Sequence, residues 1–201
     1  MNFLAHAYLS FGQPEILVGN MISDFVKGKK QFDYPAGIQS GITLHRAIDQ
    51  FTDDHPATRA AKKIFQPYYR LYSAVFVDVV YDHFLANDVE EFTESSLHAF
   101  SLEVYEVLNH HNGSLPQTFA GIFPYMKQHN WLFHYRVKKG IENSFGGVVR
   151  RSLYLTDYNT AYRLFEEHYD ELQQYYRQFF PAVKEFAKKM MRDAGNTTNF
   201  K

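Results

Sequence analysis

An almost wholly apolar segment occupies residues 75–85 and reads Val75-Phe76-Val77-Asp78-Val79-Val80-Tyr81-Asp82-His83-Phe84-Leu85. Its apolar residues fall on most sides of a helix, so the pattern predicts a buried helix over residues 71–86 at the centre of the fold. A lone carboxylate is costly to bury, so Asp78 and Asp82 together need a cation or a strong hydrogen-bond donor. Taken singly, either aspartate can also cap a helix or bind an arginine.

The rest of the chain repeats the helical pattern, with apolar residues three and four apart and almost no strand signals. We predict further helices over residues 3–11, 15–26, 36–52, 57–68, 95–110, 115–128, 131–143, 160–179 and 181–192. Gly146-Gly147 and Leu155-Thr156-Asp157 are predicted connections. The predicted fold class is all-α, a single-domain helical bundle over residues 1–194, followed by a flexible C-terminal tail over residues 195–201.

Composition excludes several classes of function. The 201 residues include no cysteine, which excludes disulfides, thiol nucleophiles and cysteine-liganded zinc or iron–sulfur sites. The formal net charge of -1 gives no electrostatic support to a general nucleic-acid binder. The first residues lack the basic start of a signal peptide, and no apolar run reaches the roughly 18 residues of a membrane span. We therefore expect a cytoplasmic protein with no nucleic-acid or membrane partner.

Polar residues four apart mark three of the helical segments. The pairs are Asn20 with Asp24, His45 with Asp49, and Asp78 with Asp82. On a helix such residues share one face, so two facing pairs can direct their side chains at one point and hold a metal ion. A mixture of histidine and carboxylate ligands suits Mn²⁺, Mg²⁺ or Fe²⁺ better than a structural zinc.

These residues also have simpler interpretations. Asn20 and Asp24 can form a polar pair on a helix surface, and Asp49 can pair with Arg46. Taken alone, His6 is more often a hydrogen-bonded core histidine than a metal ligand. The combination of two histidine- and carboxylate-bearing helices with a third carboxylate helix favours the metal site.

Three basic clusters stand out in a chain that is neutral overall. They are Lys27, Lys29 and Lys30; Arg136, Lys138 and Lys139; and Arg150 with Arg151. A solvated face is the simpler interpretation of the lysines. The two adjacent arginines are better suited to binding phosphate in bidentate fashion, and together the clusters can dock an acidic protein.

Ordered motifs run through nearly the whole chain. They are Met1-Asn2-Phe3-Leu4-Ala5-His6; Gly19-Asn20 followed by Asp24-Phe25-Val26-Lys27-Gly28; Gly41-Ile42 followed by His45-Arg46 and Ile48-Asp49; and Asp78 followed by Asp82-His83-Phe84-Leu85. On these motifs the chain resembles the bacterial acyl carrier protein phosphodiesterases, also called holo-acyl-carrier-protein hydrolases. A weaker similarity lies at Arg150-Arg151 and in residues 169–181.

This family is similar to the HD-domain metal phosphohydrolases, so the resemblance implies a divergent HD-domain-like bundle. It also implies a Mn²⁺-dependent phosphodiesterase that removes 4′-phosphopantetheine from the serine of holo-acyl carrier protein and leaves the apo form. The expected partner is therefore holo-acyl carrier protein. A standard HD domain has an adjacent His-Asp pair, whereas this chain has Asp82-His83 in the reverse order.

The resemblance and the pairs together assign a role to each candidate residue. The expected metal ligands are Asp24, His45, Asp49 and Asp82. The expected catalytic residues are His6, Asp78 and His83. Substrate binding is expected of Asn20, Arg46, Arg150 and Arg151, and carrier binding of Lys27, Lys29 and Lys30.

Two other functions stay open on the sequence. One is an HD-like phosphohydrolase acting on a nucleotide or another small phosphoester, which predicts turnover of free substrates and little dependence on the lysines. The other is a non-catalytic helical binding module whose polar pairs are buried ion networks, which predicts no stoichiometric metal and no activity.

Overall fold

This computed structural model describes residues 2–198, with side chains described for residues 2–194. The described residues contain eleven α-helices and no strand. The helices are α1 Phe3–Tyr8, α2 Pro14–Ile22, α3 Ala36–Asp54, α4 Pro56–Tyr69, α5 Ser73–Ala86, α6 Glu94–His110, α7 Gln117–Gln128, α8 Trp131–His134, α9 Lys138–Arg151, α10 Asn159–Glu167 and α11 Tyr169–Thr198. The predicted all-α bundle is confirmed. No helix in the described part is both long and apolar enough to cross a membrane.

Helix α5 lies at the centre of the bundle, as predicted. Phe76, Val77 and Val80 are wholly buried, and the helix contacts α1, α4, α9 and α11. A helix surrounded in this way buries apolar side chains on nearly every side, which is why its sequence lacks a polar face. Any polar group on α5 must therefore find its partner on a neighbouring helix.

Helices α2 and α3 pack at close range because glycines lie at their contact. A methyl group at Gly19 would lie 2.1 Å from the carbonyl oxygen of Ile38, and one at Gly41 would lie 2.2 Å from the carbonyl oxygen of Ile16. Backbone atoms at such distances cannot yield to a side chain, so any larger residue would force the helices apart. This close approach brings the polar residues of α2 and α3 together.

Two N-terminal helices end earlier than predicted. Helix α1 ends at Tyr8 because the chain turns through Phe11 and Gly12, whose φ angles are 48° and 71°. Helix α2 ends at Ile22 and tightens into a 3₁₀ turn over Ser23–Phe25. Asp24 therefore lies on this turn and not on an α-helical face shared with Asn20.

The predictions for the segment from residue 131 to residue 151 were wrong in two places. The predicted helix over 131–143 is two helices, since α8 ends at His134 and α9 begins at Lys138. The chain turns tightly here, and a methyl group at Gly140 would lie 1.9 Å from the carbonyl oxygen of His134. Gly146 and Gly147 lie inside α9 and do not form a connection. The predicted connection at residues 155–157 is confirmed.

The last two helices divide at His168, not before Pro181 as predicted. Pro181 lacks an N–H donor, but buried Phe179, Phe180 and Val183 pack the surrounding turns into the core, and α11 continues. The flexible tail predicted over 195–201 overlaps this helix, which extends to Thr198. Residues 199–201 lie outside the described residues.

Candidate metal centre

Three side chains from two helices converge on one point. They are His6 of α1 and His45 and Asp49 of α3, which offer nitrogen and oxygen atoms within 4.8 Å of one another. The two imidazole rings stack with their centroids 3.8 Å apart. Both histidines are buried. Among the described residues, this is the group whose geometry suits a metal ion.

Both ring nitrogens directed into the cluster approach Asp49. Nε2 of His45 lies 3.1 Å from Oδ2 of Asp49, and Nε2 of His6 lies 3.2 Å from Oδ1. The contact of His6 lacks hydrogen-bond geometry, so its Nε2 is a buried polar atom without a hydrogen-bond partner among the described residues. Such an atom signals a missing partner at this point.

Asn20 fixes the orientation of both rings. Its side-chain nitrogen donates to the carbonyl oxygen of His6 and to the hydroxyl of Ser10, so its side-chain oxygen accepts from Nδ1 of His6 at 2.8 Å. Its backbone carbonyl accepts from Nδ1 of His45 at 2.7 Å. Each Nδ1 therefore carries a hydrogen, and Nε2 of each ring faces Asp49.

The cluster opens to solvent on its carboxylate side. Asp24 lies with Oδ1 3.1 Å from Nε2 of His45, and its side chain is 71% exposed. The side chain of Asp49 is 41% exposed, whereas His6 and His45 are covered. A substrate can therefore reach the carboxylates while the two imidazoles stay fixed beneath them.

The surroundings of the two histidines shift their pKa values in opposite directions. Burial lowers the pKa of His45, but its contacts with Asp24 and Asp49 outweigh burial and raise it to about 9. Burial and the charge of His45 lower the pKa of His6 to about 4. Burial raises the pKa of Asp49, but contacts with His45 and His6 hold it well below its usual range. Asp49 is thus ionised and His6 neutral at neutral pH.

These groups fit a divalent cation. The lone pair of His6 and the carboxylate of Asp49 repel each other unless a positive charge lies between them. Two neutral imidazole nitrogens and a carboxylate, with further oxygen donors from solvent, are ligands that first-row divalent metals accept. Hydrogen bonds from each Nδ1 to Asn20 are the outer contacts expected of metal-binding histidines.

Asp82, which was predicted as a ligand, does not belong to this group. Its carboxylate accepts from the backbone N–H of Leu4 at 2.7 Å and of Ala5 at 3.2 Å. It therefore caps the first turn of α1 from the neighbouring helix α5. Burial raises the pKa of Asp82 to about 7, although the two N–H groups lower it. Asp82 holds α1, and with it His6, in place.

His83 is also separate from the cluster. Its Nδ1 donates to the carbonyl oxygen of Tyr135 at 2.7 Å, and its Nε2 lies 3.0 Å from the hydroxyl of Tyr169. Its ring packs edge-on against Phe84 and Phe165 in the core. Both ring nitrogens are thus engaged, which is typical of a core histidine rather than the predicted catalytic one.

The remaining predicted residues lie in four places. Asp78 lies on α5, where burial raises its pKa and the charge of Asp49 raises it further. Arg46 donates to the carbonyl oxygen of Val26 at 3.1 Å and to the side chain of Gln31, so it ties the lysine-bearing segment to α3. Arg150 and Arg151 line a cavity beside α9 that includes none of the cluster residues. Lys27, Lys29 and Lys30 are exposed after Asp24.

The sequence pattern missed two roles in this site. His6 was predicted to act in catalysis, and the structure places it with His45 and Asp49 in the group that could hold a metal ion. Asn20 was predicted to bind substrate, but it is wholly buried and orients the rings. Both residues lie in the shared motifs, and Asn20 also belongs to one of the polar pairs four apart, but neither signal specifies these roles.

We expect Asn20→Ala to lower the affinity for Mn²⁺ by about 10–100-fold, because the ring of His6 loses its Nδ1 acceptor. Ser10→Ala is the matched control, since Ser10 contacts Asn20 and the carbonyl oxygen of His6 but neither ring nitrogen. Isothermal titration calorimetry measures both affinities. Equal affinities in the two variants would contradict a positioning role for Asn20.

Comparison with known proteins connects this site to a family. The family model described as acyl carrier protein phosphodiesterase matches residues 1–183. Relatives named acyl carrier protein phosphodiesterase include one from Photorhabdus laumondii, 31% identical over 94% of this chain and 96% of its own length. One from Yersinia pestis is 31% identical over 91% of this chain and 95% of its own length, and one from Escherichia coli is 30% identical over 94% and 98%.

No solved structure matches the chain significantly, so the relation to HD domains stays a prediction. The family model covers the two helices that carry the cluster and most of the bundle around them. The relatives match along nearly their full lengths. The chain belongs to the acyl carrier protein phosphodiesterase family.

Proposed function

We propose that this protein is a metal-dependent phosphodiesterase that hydrolyses holo-acyl carrier protein to apo-acyl carrier protein and 4′-phosphopantetheine. The observation that carries the proposal is the His6, His45 and Asp49 group, which combines two oriented imidazole nitrogens with a partly exposed carboxylate. Family membership identifies the reaction class and the carrier. Mn²⁺ is the metal we assign, because it accepts mixed nitrogen and oxygen ligands.

In the proposed reaction, water attacks phosphorus and the serine oxygen of the carrier leaves with a proton. When bound, a divalent cation stabilises negative charge on phosphate oxygens and lowers the pKa of water. His6, His45 and Asp49 would hold it. Asp24 is exposed, with Oδ1 3.1 Å from Nε2 of His45, so we assign this carboxylate to orienting the attacking water. We assign protonation of the serine oxygen to Asp78, whose pKa is raised by burial.

A lysine loop beside the site supports a protein substrate. Lys27, Lys29 and Lys30 are exposed and follow Asp24 within six positions. Lys27 precedes the 3₁₀ turn over Gly28–Asp33, and Lys29 and Lys30 lie on it. Among the described residues none of the three forms an ion pair. Unpaired cations at the entrance of a site attract an acidic partner and set its orientation. We propose that this loop docks the carrier.

Charge reversal of the lysine loop tests the choice of substrate. The variant Lys27→Glu/Lys29→Glu/Lys30→Glu should raise KM for holo-acyl carrier protein by about tenfold or more, since it turns attraction into repulsion. Hydrolysis of bis(p-nitrophenyl) phosphate should stay unchanged. Steady-state kinetics on both substrates measure the effect. The matched control reverses three other exposed lysines, Lys63, Lys127 and Lys189.

Two outcomes would contradict the carrier as substrate. One is an equal loss for both substrates in the loop variant. The other is efficient turnover of small phosphoesters with none of holo-acyl carrier protein, which would favour the nucleotide or small-phosphoester alternative.

Affinity for Mn²⁺ should rise with pH by about tenfold per unit between pH 6 and 8. His45, with its pKa of about 9, must lose one proton on binding, whereas His6, with its pKa of about 4, is already neutral. Protonated His45 stabilises the metal-free fold fully below about pH 6.5, and this contribution is lost as pH rises through about 9. Calorimetry at three pH values checks the slope, and a flat profile would contradict the assignment of His45 as ligand.

A further inference from the structure

A cavity of about 710 Å³ lies between α7, α8, α9 and the start of α1. Its wall includes Phe3, Tyr125 and Trp131, with Lys139, Arg150 and Arg151 at the α9 side. This volume falls in the range of small-molecule sites and far exceeds that of an inorganic ion. The residues lining it include no aspartate or glutamate in the described part of the chain. The cavity therefore favours an anion with an organic portion.

The two arginines of this cavity have no internal counter-charge. Among residues 2–194, neither guanidinium forms an ion pair or donates a hydrogen bond to a protein acceptor. Lys139 differs, since its Nζ lies 2.7 Å from Oε2 of Glu142. Arg150 and Arg151 can therefore offer their forked donors to an external anion.

Gly146 and Gly147 make room for these guanidinium groups. A methyl group at Gly146 would lie 3.2 Å from Nη1 of Arg150, and one at Gly147 would lie 3.3 Å from Nη1 of Arg151. Each arginine thus folds back over the glycine four residues earlier in α9. Two adjacent guanidiniums offer a double positive charge and forked donors, which match a phosphate better than a single carboxylate.

We propose that this cavity binds a small organic phosphate, with the phosphate against Arg150 and Arg151 and the organic portion against Tyr125 and Trp131. The site is distinct from the metal cluster, because His6, His45 and Asp49 do not line it. It goes beyond the proposed reaction. Only the use of 4′-phosphopantetheine as a probe rests on the proposed function.

Trp131 reports directly on the cavity, because it is the one tryptophan in the 201-residue chain. We would titrate the full chain with 4′-phosphopantetheine and, separately, with AMP, and follow tryptophan fluorescence. At least one of them should give a saturable change. The double variant Arg150→Gln/Arg151→Gln should bind at least about tenfold more weakly, as should pantetheine, which lacks the phosphate.

Two further variants keep this test separate from catalysis and from folding. Asp49→Ala should retain the fluorescence titration although it loses turnover. Arg163→Gln changes an exposed arginine that pairs with Glu167 and should bind like the parent. The proposal is overturned if neither phosphate gives a saturable change, if pantetheine binds equally well, or if the double variant, folded by circular dichroism, binds like the parent.

Discussion

Replacing Asp49 by alanine should lower the turnover of holo-acyl carrier protein by about a thousandfold or more, since loss of a metal's charge stabilisation costs several kcal/mol in the transition state. Among the described side chains, Asp49 is the one carboxylate that approaches both buried histidines, at 3.2 Å and 3.1 Å. Helical content should not change, because its side chain is partly exposed. Release of 4′-phosphopantetheine, followed by mass spectrometry of the carrier, measures the loss.

Asp53→Ala is the matched control for this variant. Asp53 lies one turn further along α3 and pairs with Lys62 at 2.6 Å on the surface. It should keep full activity. Full activity in Asp49→Ala would instead remove Asp49 from the site and with it the metal group as described.

Replacing Asp82 by alanine should lower the free energy of unfolding by about 3 kcal/mol, because two buried N–H groups lose their acceptor. Asp157 provides the matched comparison. It accepts from the N–H groups of Asn159 and Thr160 at 2.8 Å and 3.2 Å, nearly the same distances as at Asp82, but near solvent. Asp157→Ala should therefore cost only about 1 kcal/mol, the usual loss of an exposed helix cap. Chemical denaturation measures both.

A second variant at Asp82 distinguishes a capping role from metal binding. Asp82→Asn keeps one acceptor oxygen for the start of α1, so we expect the variant to bind Mn²⁺ with the stoichiometry of the parent. A ligand would behave differently, because losing its charge would lower metal occupancy. Loss of metal from folded Asp82→Asn would contradict the capping role.

Periodicity predicted the helical fold and the central position of α5, because a helix buried on nearly all sides has a distinctive apolar sequence. It failed where close packing decides local structure. Adjacent glycines are typical of a turn, yet Gly146 and Gly147 lie inside α9, where guanidinium groups pack over them. A proline is typical of a helix end, yet α11 continues through Pro181 because neighbouring residues pack into the core.

The candidate site was predictable where its residues share a helix. His45 and Asp49 are four apart on α3, so their spacing alone places them together. The role of Asp82 was not predictable, because its need for a donor is met by the backbone of α1, 77 and 78 positions away. The sequence signals that a buried carboxylate needs a partner but does not reveal which distant element supplies it. His6 required the same long-range information.

The most direct test of a metal-dependent phosphodiesterase is to incubate the metal-stripped protein with holo-acyl carrier protein, with and without Mn²⁺, and to weigh the carrier by mass spectrometry. We expect loss of the phosphopantetheine mass only when Mn²⁺ is present. Unchanged carrier mass with a folded, metal-loaded protein, or equal loss without any metal, would contradict a metal-dependent phosphodiesterase.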